Sequence, residues 1–101
     1  MQRLAFRVRE AIAIDGQGTV LVTDLTRDLM SANLAVDDEL ELRHLGATLK
    51  VRIIGIEMFQ REGDKDISLA VMLAPPVTPA QAPRGSEAWT VERAEGVRGQ
   101  R

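Results

Sequence analysis

Between Thr48 and Phe59 the chain reads TLKVRIIGIEMF, and branched apolar side chains alternate there with long polar ones. Leu49, Val51 and Ile53 recur at a period of two, with Lys50 and Arg52 between them. Successive side chains of an extended strand point to opposite faces, so this spacing gives one buried and one solvated face. The many β-branched residues favour the same pleated backbone. The expectation is a long strand in the wall of a small closed barrel.

The neighbouring segments supply its partners. Leu4, Phe6 and Val8 alternate with Arg3, Arg7 and Arg9, and an apolar face resumes at Ile12 and Ile14. The switch near Glu10–Ala11 marks a bulge that re-aims the first strand. Asp15-Gly16-Gln17-Gly18 is a tight turn, where glycine supplies the positive φ that joins antiparallel strands. Thr19 to Thr26 is β-rich, whereas Arg27 to Ala35 is too short for a free-standing helix and reads as a loop with one helical turn. Val36 to His44 alternates again, Leu40 and Leu42 inward and Glu39, Glu41 and Arg43 outward, and Leu45-Gly46-Ala47 turns into the long strand. Gln60 to Asp66 forms a polar tip around Gly63, and Ile67 to Leu73 is apolar enough to be buried on both faces and to close the sheet.

All four prolines and the only tryptophan lie beyond Ala74. Residues 75–101 therefore read as a disordered or loosely docked tail with too few apolar anchors for a core, and residues 1–74 as the one domain. Trp89 is either an anchor on the barrel surface or a partner contact. A chain of 101 residues with 45% hydrophobic content can bury one modest core. Five or six short strands with hardly any helix need a nearly closed sheet, because an open one leaves long unpaired edges.

Charge and composition exclude several functions. A net charge of -2 and a pI near 5.4 argue against a general nucleic-acid binder. Three aromatic residues do not make a base-stacking platform. Absence of cysteine removes disulfides and thiolate metal sites and suits the cytoplasm. No apolar run reaches the roughly 18 residues of a membrane span, and the N-terminus lacks a signal-peptide core.

The chemistry-bearing residues form no recognisable catalytic set. There is no phosphate-binding GxxxxGK[ST] loop, and the DGQG turn opens no helix, so neither nucleotide hydrolysis nor GTP binding is expected. His44 is the only histidine and has no serine or cysteine nucleophile in an interpretable context. The acids Asp37, Asp38, Glu39 and Glu41 lack the DxDxDG spacing of a calcium loop and read as outward carboxylates that keep a strand soluble. No metal, cofactor or catalytic residue is expected, and the chain reads as a non-enzyme.

Three runs in order carry a resemblance: F6-x-V8-x-E10-A11-I12-x-I14-D15-G16-Q17-G18-T19-V20, then V36-D37-D38-E39-L40-E41-L42, then G55-I56-E57-M58-F59. Together they resemble the second domain of elongation factor Tu and the related translation-factor β-barrels, over about residues 4–74. The resemblance implies a six-stranded Greek-key barrel. It further implies that Glu57 matches the glutamate of a pocket for the terminal adenosine of aminoacyl-tRNA, with Val20 and Ala70 as apolar walls. Ala70 stands where that family carries leucine. Gln60 replaces the basic residue after the matched run, leaving Arg61 as the nearest cation. The hairpin after Phe59 is shorter than the family's, and the family's GTPase domain is absent from this sequence.

Two kinds of function fit. In the first, a stand-alone module uses the face around Val20, Glu57, Phe59, Arg61 and Ala70 to bind an RNA end, a nucleotide-like ligand or a translation component. In the second, the acidic barrel and the Pro-rich tail dock a protein partner or a second copy.

Overall fold

The structure, a computed structural model, describes residues 2–16, 18–60, 62–63 and 65–91. The long alternating segment is β5 (Ala47–Phe59), and it is the element on which two antiparallel half-sheets meet. Its first half pairs with β4 (Glu39–His44) through a two-residue turn at Leu45–Gly46, where both residues have positive φ. Its second half pairs with β6 (Ser68–Leu73) after a register shift between Ile53 and Gly55. That irregularity turns one strand into a shared spine.

The N-terminal segment is likewise divided, into β1 (Leu4–Arg7) and β2 (Glu10–Ile14). Arg9 donates its amide to the Val22 carbonyl (2.9 Å) while Glu10 is the register partner of Val22. Two residues thus oppose one, a bulge one position before the expected place. β2 pairs with β3 (Gly18–Asp24), which pairs in turn with β6. Between β3 and β4 the only α-helix among the described residues, α1 (Arg27–Ala32), starts where the Thr26 hydroxyl accepts from the Leu29 amide at 3.2 Å. It ends at Asn33 in the left-handed region and buries Leu29 over β1.

Two expectations are corrected. As far as Val91 the segment after Ala74 is an integral part of the sheet and not a disordered or loosely docked tail. A 3-10 turn at Pro79–Gln81 leads to β7 (Glu87–Thr90), which lies between β1 and β4 in the sheet. Composition counts apolar anchors, but what draws this segment in is backbone: β1 and β4 each present an edge that requires a partner. Ala88, fully buried, is small enough to sit beneath that ladder. Residues 92–101 of the expected tail lie outside the described residues.

The second correction concerns closure. The strands form one seven-stranded antiparallel sheet in the order β1-β7-β4-β5-β6-β3-β2, not a closed six-stranded barrel. β1 and β2 stand at opposite ends of that order and are joined through the Val8–Arg9 bend, not by a ladder. Since β1 pairs with β7 and β2 with β3, and no ladder among the described residues joins the two ends, the sheet curls without sealing.

Both halves turn one face to a common core. Leu40, Leu42, Val51, Phe6 and Ala88 come from the first half and Leu21, Val71, Leu73, Leu69 and Ile53 from the second. The interior is aliphatic except for Phe6, and no buried side-chain polar atom among the described residues lacks a partner. Thr19, at the core's edge, gives its hydroxyl to the Val77 carbonyl at 2.6 Å and so ties β3 to the segment leading to β7.

Candidate functional site

The site predicted from the sequence resolves into a face of the second half-sheet. On directly opposed antiparallel residues the side chains share a face, and every second residue along each strand joins them. Glu57 of β5 lies opposite Ala70 of β6, and Ala70 lies opposite Val22 of β3. The next row is Gly55, Met72, Val20 and Ile12, and the row on the other side is Phe59, Ser68 and Asp24. The alternating set, Ile53, Leu73, Val71, Leu21 and Leu69, faces the core. Val20, Glu57, Phe59 and Ala70 therefore all lie on the outer face, although they come from three strands and distant parts of the sequence. Arg61 lies outside the described residues.

Exposure varies across this face in a telling way. Glu57 is exposed, Val20, Phe59 and Ala70 are half-buried, and Val22 is 3% exposed yet belongs to no part of the core cluster. Val22 is thus buried although its row, with Glu10 and Ala70, faces away from the core. Met72 reaches across the row, and a Cβ added at Gly55 would meet its thioether sulfur at 2.9 Å. Glycine at 55 thus makes room for the methionine. Ile12 and Ile54 are each 41% exposed. The apolar surface is bounded by Glu57 and by a polar corner where the Arg9 guanidinium pairs with Asp24 and donates to the Ser68 hydroxyl at 3.1 Å.

Sequence reasoning missed Val22, Met72 and Ile12 as members of this face. The signal was present, since Val22 and Met72 each stand two residues from a predicted site residue. What was lacking was the register that says which face looks outward.

Other residues considered for chemistry take structural duties. The acidic group disperses: Asp38 is buried and accepts from the Ala35 amide at 2.9 Å, while Glu41 joins an ionic lattice on the first half-sheet. Only part of the group keeps the expected role of outward strand carboxylate. His44 ends β4 and lines a cleft of about 280 Å³ with Leu42, Thr48, Leu49 and Gln81. Among the described residues no group of three or more His, Cys, Asp or Glu could hold a metal ion.

Trp89 is an anchor. Its indole N–H donates to Glu87 Oε1 at 3.0 Å and the Arg43 guanidinium lies 4.3 Å from the ring centre. Arg43 donates to Glu41 Oε2 at 2.6 Å and to Gln2 Oε1 at 2.8 Å, and Arg7 pairs with Glu87 at 2.8 Å. The Arg43 hydrogen bond, then that of Gln2, lowers the pKa of Glu41 below its ordinary value, and the Trp89 hydrogen bond, then that of Arg7, does the same for Glu87.

Among the described residues no helix is long and apolar enough to cross a membrane. No protein-family model matches the chain, and no curated protein matches it.

Proposed function

We propose that this chain is a non-enzymatic, cytoplasmic binding module resembling the second domain of the translation factors in its sequence runs though not in barrel closure, and that it holds its ligand on the outer face of β5, β6 and β3 around Glu57. One observation supports this most: Val20, Glu57, Phe59 and Ala70, singled out through the resemblance, share one face, with Glu57 directly opposite Ala70. The chemistry of that face suits the end of an RNA. Half-buried Val20, Phe59 and Met72 offer apolar contact to a base, and the Glu57 carboxylate is an acceptor for its amine or for a ribose hydroxyl. Alanine at 70 leaves the wall beside Glu57 shallow, which favours a flat base over a bulky side chain. With an acidic chain around it, the interaction depends on that local fit and not on phosphate attraction.

The test is a titration of the chain with short RNAs ending in adenosine, followed by backbone amide shifts. Shifts confined to β3, β5 and β6, with affinity reduced about tenfold or more by Glu57→Ala, are expected. Circular dichroism should be unchanged for that variant, since Glu57 is exposed. Absence of binding at low salt removes RNA as the ligand.

Exposed Ile12 and Ile54 on the same face favour a second reading, a protein-docking surface. Under it Ile54→Lys abolishes capture of the partner while RNA has no effect.

A further inference from the structure

We infer that β2 is a pairing edge for a second copy of this chain. β2 is bonded on one side only, to β3, and stands at the end of the sheet order. The bulge sets its phase. With the Arg9 amide already on the Val22 carbonyl and Glu10 opposite Val22, the ladder to β3 uses Glu10, Ile12 and Ile14, so the amides and carbonyls of Ala11 and Ala13 face away from it. The 3-10 turn at Pro79–Gln81 passes beside β2, but the amides that close it stay within the turn, Gln81 to the Thr78 carbonyl and Ala82 to that of Pro79. Among the described residues no backbone hydrogen bond from outside the β3 ladder reaches Ala11 to Ile14. Exposed edges are ordinarily guarded by lysine, proline or an inward charge. The run Ala11-Ile12-Ala13-Ile14 has none of these, and Ile12 and Ile14 are 41% and 39% exposed.

The occupant follows from the self-complementarity of the strand. Antiparallel pairing of β2 with itself about a twofold axis at Ile12 sets Ala11 against Ala13 of the second copy, and Ala13 against its Ala11. Those are the residues whose backbone groups face outward, so the bonded pairs of an antiparallel ladder form without any shift of register. The same register sets Ile12 against Ile12 on the outer face. Just beyond the strand ends the same register places Asp15 of the second copy near Arg9, whose guanidinium already pairs with Asp24 of its own chain, so opposite and not like charges meet there. The apolar surface running from Ile12 through Val20 to Met72 then continues across the joint, and two monomer faces become one.

Sedimentation equilibrium of the full 101-residue chain from about 10 μM to 1 mM tests this. A reversible monomer–dimer equilibrium is expected, with the Ala11 and Ala13 amides gaining protection from hydrogen exchange as concentration rises. Ala13→Pro removes an outward amide that an edge strand can spare. It should weaken the dimer by about tenfold or more with the β signal in circular dichroism retained. Ile12→Lys, which changes an exposed side chain, sets two like charges on the axis and should do the same even where the proline variant fails to fold. Asp15→Arg should weaken the dimer less. A chain that stays monomeric throughout, a dimer indifferent to Ile12→Lys and Asp15→Arg, or a β2 edge that binds only an unrelated extended peptide would each overturn the assignment.

Discussion

The half-sheet of β1, β7, β4 and the first half of β5 turns Glu41, Arg43, Glu87 and Trp89 outward, each tied to another by a hydrogen bond, an ion pair or a ring contact. The half-sheet of β2, β3, β6 and the second half of β5 turns out Ile12, Val20, Val22, Ala70 and Met72, with Glu57 among them. Both halves feed the same core and both are antiparallel, so burial inside does not account for the contrast. A solvated sheet face ordinarily carries polar residues. The first half follows that rule, whereas the second leaves an apolar surface of the kind that marks a contact site.

The comparison breaks if the halves do not share one core. Leu40→Ala in the first half and Leu21→Ala in the second, both fully buried, should each cost about 2–5 kcal/mol. In urea, Trp89 fluorescence and far-ultraviolet circular dichroism should report the same single transition for both variants. Separate transitions would mean two independent halves.

Two glycines of the second half should behave differently from one another. At Gly18, φ is +99° and an added Cβ would lie 2.8 Å from the Leu73 carbonyl oxygen. Gly18→Ala should cost about 1–3 kcal/mol by denaturation, because a backbone oxygen cannot rotate away. Gly55→Ala meets only the end of a methionine and should cost no more than about 1 kcal/mol. It should nevertheless displace Met72, which a shift of its methyl resonance would show.

Acid sharpens the contrast from the other side. Glu41 and Glu87 are more acidic folded than unfolded, so the folded state holds fewer protons. Their stabilisation is complete above the ordinary value of 4.5 and is lost as pH falls through the lower folded values. Thermal melts from neutral pH to about pH 3 should show a steeper loss below 4.5 for the native chain than for Glu41→Gln/Glu87→Gln. Smallest of all, Arg43→Met removes the cation from above the indole. It should cost about 0.5–1 kcal/mol and shift Trp89 emission, leaving the outer face of the second half untouched.

Much of this arrangement was legible in the chain, and the illegible parts have identifiable causes. β4, β5 and β6 show a period of two or an unbroken apolar run and were placed within a few residues, as were the turns at Gly16 and Gly46. β7 was not, because a short strand held by backbone pairing to two existing edges needs little apolar content of its own. α1 was foreseen as a single turn, but the Thr26 cap and the fit of Leu29 over β1 stabilise more of it than its length alone allows. For the candidate site, membership of Val20, Glu57, Phe59 and Ala70 came from a resemblance, while their common face came from register.

Local alternation by itself determined that residues 47–59 form a strand, because a period of two suits no other regular backbone. It also determined which of Leu49, Val51 and Ile53 share a side. Only the tertiary structure decided that this strand shifts register at Gly55 and serves two half-sheets, that the sheet curls without closing, and that the face bearing Glu57 looks outward. Side-chain direction along a strand is a local property of the chain, whereas the assignment of inside and outside is made by the partners that cover one face and not the other.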